Sequence, residues 1–291
     1  MMTISRFRLL GAFGLALTGC GRSDISSGQT TFSTPDEAVT AVIAAVRANN
    51  TAALDSILGS GGAGIVTSSD TVADRAERER FIERYDEYHA LVEKGKDTLI
   101  LNVGATDWPA PMPLVKAGGR WHWDGEAGRD EVFYRRIGHN ELKAISVCNG
   151  VVQAQMEYAQ LPHDGRPAGA FAMRIMSTAG KQDGLYWPVK EGDPPSPLGP
   201  GIASAGSQGY DTTGVRTPYQ GYFYRIVPNG ATGFGVVASP ADYRQSGVMT
   251  FQVSESGVVY QKDLGDGTAA AADAITTYAI DSTWTAVPED Q

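Results

Sequence analysis

A chain of 291 residues, 42% of them hydrophobic, is long enough for two domains and apolar enough to give each a core. Its net charge of −9 argues against nucleic acid and anionic lipid surfaces as docking partners, because both need a net positive face.

Arg6 and Arg8 precede an apolar run from Leu9 to Leu17, and Leu17-Thr18-Gly19-Cys20 follows. A charged start, a short apolar stretch and small residues before a cleavage point make a secretory signal. The run is shorter than the roughly 20 residues that span a bilayer. A cysteine directly after Thr-Gly resembles a bacterial lipoprotein signal. That resemblance implies cleavage before Cys20, acylation of its thiol, and the lipid bilayer as a partner through the acyl chains, several of which suffice for stable anchoring. The alternative is an ordinary signal peptide in which the cysteine is incidental. Cleavage removes two arginines and no acid, so the mature chain is more acidic still. Gly21-Arg22 follows, without the aspartate that often marks inner-membrane retention. The expected location is therefore the cell envelope, facing the periplasm and leaning to the outer membrane if the source cell has two membranes.

Residues 1–19 thus read as a signal peptide and 20–31, rich in Ser, Gly and Thr, as a flexible tether. An N-terminal α+β domain is expected over 32–125. It opens at Thr34-Pro35-Asp36-Glu37, a capping box with proline at the first helical position. The helix after it should bury Ala38, Val39, Val42, Ile43 and Val46. Asn50 can cap a second helix through Leu54, Ile57 and Leu58, stopped at Gly59. A third helix is predicted from Asp70 to Lys94 with the stripe Phe81, Tyr85, Tyr88 and Val92. Its pairs Arg75/Glu79, Glu77/Arg80, Arg80/Glu83 and Arg84/Glu87 read as a solvated face. Residues 98–103 alternate as a strand, and 113–116 can pair with 120–123 across Ala117-Gly118-Gly119.

A C-terminal domain is expected over 126–291. It comprises a helix-rich stretch from Ala127 to Leu161 with Asn140 as a cap, a long Gly/Pro-rich loop, and four strands over 222–227, 233–239, 248–253 and 258–263. An alanine-rich helix near 268–276 and a tail with Trp284 close the chain. Cys148 shares a helical stripe with Leu142, Ile145 and Val151 or Val152, so it reads as a buried small hydrophobe. If Cys20 is acylated, Cys148 has no disulfide partner.

The fold class is α+β. Helices followed by a hairpin ending in Gly119-Arg120-Trp121-His122-Trp123 resemble the cone-shaped nuclear transport factor 2-like group. The helix around Asn140-Glu141, Ala144-Ile145, Ala154-Gln155 and Tyr158, with four antiparallel strands, is similar to pilin and pseudopilin heads. Pilins carry that helix at the N-terminus with an apolar first half, whereas a separate domain stands there in this chain. Phe32-Ser33-Thr34-Pro35-Asp36-Glu37-Ala38, Gly184-Leu185-Tyr186-Trp187-Pro188 and Gly247-Val248-Met249-Thr250-Phe251, together with the lipoprotein cysteine, resemble domain of unknown function family 2950. That likeness covers nearly the whole mature chain, and it implies an envelope protein with no assigned activity.

Residues with evident chemistry are scattered. His89, His122, His139 and His163 have no second histidine at i+4, so no metal site is expected. The Gly59–Gly64 run lacks the Lys-Ser/Thr of a phosphate loop, so no cofactor is expected either. No catalytic residue is assigned. Asp107, Asp183 and Asp263 stand beside aromatics or at a strand end, and turn or capping roles account for each. The candidate binding surface is Asp183, Tyr186, Trp187 and Tyr219, where aromatics with Gly and Pro suit an envelope glycan or protein partner. The same side chains would be needed to pin the loop onto the sheet. The expected function is that of a membrane-anchored envelope lipoprotein acting as a non-catalytic binding or scaffold module. An envelope hydrolase of glycan or peptide, working through Asp183 or Asp107, and a pilin-like assembly component stand as alternatives.

Overall fold

Helix α1 (Pro35–Arg47) begins where its capping residues dictate. The Thr34 side chain accepts from the Glu37 amide at 3.2 Å, and the Glu37 carboxylate accepts from the Ser33 amide at 2.9 Å. The computed structural model describes residues 25–59, 62–189, 195–198 and 218–288; Cys20 and the signal segment lie outside them. Asn50 caps α2 (Thr51–Leu58), and Asp70 caps α4 (Thr71–Glu87) after the short α3 (Gly62–Val66). These helices pack on an antiparallel sheet of β1 (His89–Gly95), β2 (Thr98–Val103), β4 (Leu114–Ala117) and β5 (Arg120–Trp123). The two-residue β3 (Trp108–Pro109) lies beside β2. Val39, Ile43, Leu54, Leu101, Leu114 and Trp123 belong to their shared core.

Two expectations about this region change. The third helix ends at Glu87, and Tyr88 is already extended, with φ −163°. Residues 89–95 instead pair with β2, facing Leu91 to Leu101, so their backbone groups are satisfied by a hairpin rather than by more helix. Tyr88 and Val92, expected on the helical stripe, are therefore exposed. The end of the expected tether is also already folded. Gln29 donates from Nε2 to Ile57 O at 3.0 Å and to Trp123 O at 2.6 Å, and Phe32 exchanges two backbone hydrogen bonds with Trp121.

Asp124 caps α5 (Gly125–Tyr158), one unbroken helix of 34 residues and about 50 Å. Asn140 is not a cap but a mid-helix donor, giving Nδ2–H to Ser246 O at 2.9 Å. The helix is shared between the two halves. Its start abuts the N-terminal unit so closely that a Cβ at Gly125 would lie 2.5 Å from Leu58 O. Its second half packs Ala144, Cys148, Val151, Ala154 and Tyr158 onto a second antiparallel sheet. That sheet has the order β10-β9-β8-β7-β6, from β6 (Tyr222–Asn229), β7 (Gly233–Pro240), β8 (Met249–Ser254), β9 (Tyr260–Asp263) and β10 (Thr285–Ala286). The four expected strands are present, and β10 adds a fifth. On the face opposite α5, the chain after α6 (Thr268–Asp273) covers the sheet: Gln252 Nε2 donates to Ala279 O at 3.3 Å. The molecule is thus α+β with two antiparallel sheets. No described helix is long and apolar enough to cross a membrane.

Candidate functional site

The first half of α5 does not close down on the N-terminal unit along its whole length. Between it and helices α1 to α4 lies a cavity of about 750 Å³. Its floor is apolar, made by Val42 and Val46 of α1, Leu54 and Leu58 of α2, Leu101 of β2 and Trp123 of β5. Its rim carries five arginines, Arg78, Arg80 and Arg84 from α4 and Arg135 and Arg136 from α5, against the carboxylates of Asp70, Asp74 and Glu77. In a chain of net charge −9, this is a local excess of positive charge.

The carboxylates are largely engaged in holding backbone. Asp70, 3% exposed, accepts from the Ala73 amide at 2.9 Å and from the Gly221 amide at 3.0 Å. It therefore caps α4 and ties the C-terminal unit to the rim. Asp74 accepts from the Ser68 amide at 2.6 Å and from Ser68 Oγ at 2.8 Å. Glu77 pairs with Arg80 and lies 3.8 Å from His139 Nε2. Burial holds the His139 imidazole below its usual value, against the pull of Glu77 and with help from Lys143 and Arg80.

The arginines are differently placed. Arg84 and Arg135 lie over the same indole, their guanidinium carbons 5.5 and 4.5 Å from the Trp108 ring centroid. Arg135 also pairs with Glu131 at 2.7 Å and donates to Pro109 O at 2.8 Å. Arg78 donates to Val66 O at 3.2 Å, and Arg136 to the preceding carbonyl, Ile65 O, at 2.5 Å. The other terminal nitrogen of Arg136, Nη1, is buried without a hydrogen-bond partner among the described residues. Burial lowers this guanidinium from its ordinary value, against the raising effect of Asp74 and Glu77.

A family model described as "Protein of unknown function (DUF2950)" matches residues 29–287. The chain belongs to that family. No curated protein and no solved structure matches it, so the cone-shaped and pilin-head likenesses stand on element order alone.

In this DUF2950 protein the four residues of the expected binding surface do not converge. Trp187 is 5% exposed and packs in the core with Leu185, Tyr158 and His163, whose ring centroid is 5.6 Å away. Tyr186 is half-buried and fixed by backbone bonds to Ile175 and Ser177. Asp183 accepts from the Thr178 amide at 2.7 Å and from its hydroxyl at 2.8 Å, and these bonds hold its carboxyl below the usual range. Tyr219 lies elsewhere, two residues from Gly221, which touches Asn140 and Asp70; burial, then Asp70, raises its phenol. The other three gather near Tyr158, whose hydroxyl donates to Gln182 O at 2.8 Å. Asn140 and Tyr158 are separated by about 27 Å of helix. Cys20 lies outside the described residues.

The rim arginines are the residues that sequence reasoning does not single out. Their signal is present nonetheless: Arg78 stands three and seven residues before Phe81 and Tyr85, on the apolar stripe of α4 rather than on its solvated face. Among the described residues no cluster of His, Cys, Asp and Glu could hold a metal ion.

Proposed function

We propose that this DUF2950 protein is an envelope lipoprotein, anchored through acylated Cys20, that binds a hydrophobic small molecule in the cavity between α5 and the N-terminal helices. The observation that carries the binding reading is the cavity itself. Its volume of about 750 Å³ lies within the roughly 300–1,000 Å³ of small-molecule sites, and its floor is built of aliphatic and aromatic side chains. Binding without turnover fits the state of the carboxylates, because Asp70 and Asp74 are occupied as backbone acceptors. Asp107, offered by the sequence as a hydrolytic group, sits in a turn at φ 51°, and Asp183 caps Thr178 at the far end of α5. The anchoring reading is supported by the charged start, the short apolar run and Leu17-Thr18-Gly19-Cys20.

Two measurements test this. Mass spectrometry of the membrane fraction should find an acylated N-terminal Cys20 peptide; a soluble mature protein with a free Cys20 thiol would refute anchoring. An environment-sensitive naphthylamine dye should be taken up by the unmodified protein, and Val46→Phe, which fills the cavity from α1, should reduce that uptake while the protein stays folded. Ala73→Phe fills it from α4 and should do the same. Dye uptake unaffected by both substitutions would refute the cavity as the site.

A further inference from the structure

The volume alone does not say what kind of molecule enters, but the groups at its rim do. Arg136 has one buried donor, Nη1, without an acceptor among the described residues, while its Nη2 is held by Ile65 O. A buried cationic donor without an acceptor is costly, and a charged acceptor supplied by a ligand would remove that cost. Arg78 is drawn to the same place, because Ile65 and Val66, whose carbonyls hold the two guanidiniums, are consecutive. Among the described residues no carboxylate lies within 4.0 Å of a guanidinium nitrogen of Arg78, Arg84 or Arg136. The same rim also sets an upper limit on the ligand's charge. With Glu131, which pairs with Arg135, added to Asp70, Asp74 and Glu77, four carboxylates stand against the five rim arginines, so a monoanion balances the site and a dianion would leave it negative. Beyond the arginines the wall turns apolar at Ile65, Leu58, Leu54 and Val42.

Resting on the cavity reading, we infer that the ligand is a single-chain amphiphile with a monoanionic head, a long-chain carboxylate. One carboxylate oxygen accepts from Arg136 Nη1 once the guanidinium turns that buried nitrogen toward the cavity, and the tail lies along Leu58, Leu54 and Val42. A phosphate head, which approaches two charges, overshoots that balance.

The test is displacement of the naphthylamine dye from the full mature chain by dodecanoate, dodecanol and dodecyl phosphate, at neutral pH and below their micelle concentrations. Dodecanoate should compete at concentrations about 10-fold lower than dodecanol, as one charge-assisted hydrogen bond allows. Dodecyl phosphate should compete no better than dodecanoate. Arg136→Gln should bring dodecanoate to the level of dodecanol and leave dodecanol where it was. Because Arg136 also ties down Ile65, the acid-to-alcohol ratio in the unmodified protein is decisive even if that variant folds poorly. Equal competition by acid and alcohol, or tighter competition by the phosphate, overturns the carboxylate head and leaves the cavity reading standing. Failure of all three to compete, with dye uptake insensitive to Val46→Phe, overturns both.

Discussion

One helix is used in two different ways along its length. The half of α5 after Asn140 presents Ala144, Cys148, Val151 and Ala154 to the second sheet, and each is at most 3% exposed. Small side chains on that stripe let the helix lie close to Phe251 and Val253, leaving a continuous core. The half before Asn140 buries glycine at its first turns, then presents arginines and half-buried Val132 over open space. What separates a filled interface from a cavity here is the side chains that one helix turns inward. The C-terminal half of the helix builds stability, and the N-terminal half leaves room.

The largest expected effect tests that contrast directly. Phe251→Ala, in the filled core, should cost about 3–5 kcal/mol, because it opens a new void. Leu54→Ala, already beside the cavity, should fall near the lower end of the large-to-small range, about 2 kcal/mol, because the wall it leaves is already open. Urea denaturation of both variants measures the difference, and equal costs would mean that the two interiors are packed alike. Next in size is Asp70→Ala. It removes the α4 cap and leaves the buried Gly221 amide without that acceptor, at roughly 2–3 kcal/mol together. Because Asp70 joins the units, this variant should also begin to separate their unfolding into two transitions, whereas Phe251→Ala should not.

Cys148→Ser should cost about 1–3 kcal/mol, since the new hydroxyl is desolvated on the packed side of α5. Burial pushes the Cys148 thiol up to about 12, so thiol reagents should leave the native protein unlabelled at neutral pH and react once it unfolds. Rapid labelling of the native state would show that this half of the helix is not the closed one.

The smallest effect is a pH dependence, and it belongs to the N-terminal unit. His122 is 1% exposed with Nδ1 unpartnered, and burial holds it below its ordinary value, with Asp124 opposing. The unfolded chain therefore takes up the proton first. The contribution is complete above the ordinary histidine value of about 6.5 and is lost as pH falls below it. His139, also lowered by burial, adds the same sign. Asp183, held below the usual carboxylate range, contributes above about pH 4 and loses its effect only below that, so it stays out of this window. Melting temperature should decline on acidification from neutral pH, and His122→Gln should flatten the slope.

Much of the fold was legible because local chemistry agrees with the tertiary outcome. Thr34, Asn50 and the glycine turn at 118–119 each specify their element unaided, and four strands fall where alternation puts them. The reading departs from the structure where two local solutions compete. Residues 89–95 satisfy a helical stripe as well as a strand, and only the presence of β2 decides. Asn140 has the composition of a cap, and only Ser246, 106 residues away, gives it another acceptor. The site was less legible for the same reason. Exposed-looking aromatics in a Gly/Pro-rich loop drew attention to Trp187, which the loop uses as its own core. The cavity is a space between elements that no single segment encodes, and its one local trace is an arginine on the apolar stripe of α4.

The clasp at Gln29 sets a reach. With its side chain bonded to Ile57 and Trp123, the chain is fixed to the N-terminal unit nine residues after Cys20. Even fully stretched, nine residues span only about 30 Å. On the anchored reading, the cavity-bearing unit is then leashed within a short distance of the bilayer, and the α5-sheet unit can swing only as that unit swings. On that reading, a carboxylate held in the cavity is taken up and released close to the anchoring membrane and is not carried across a wide compartment.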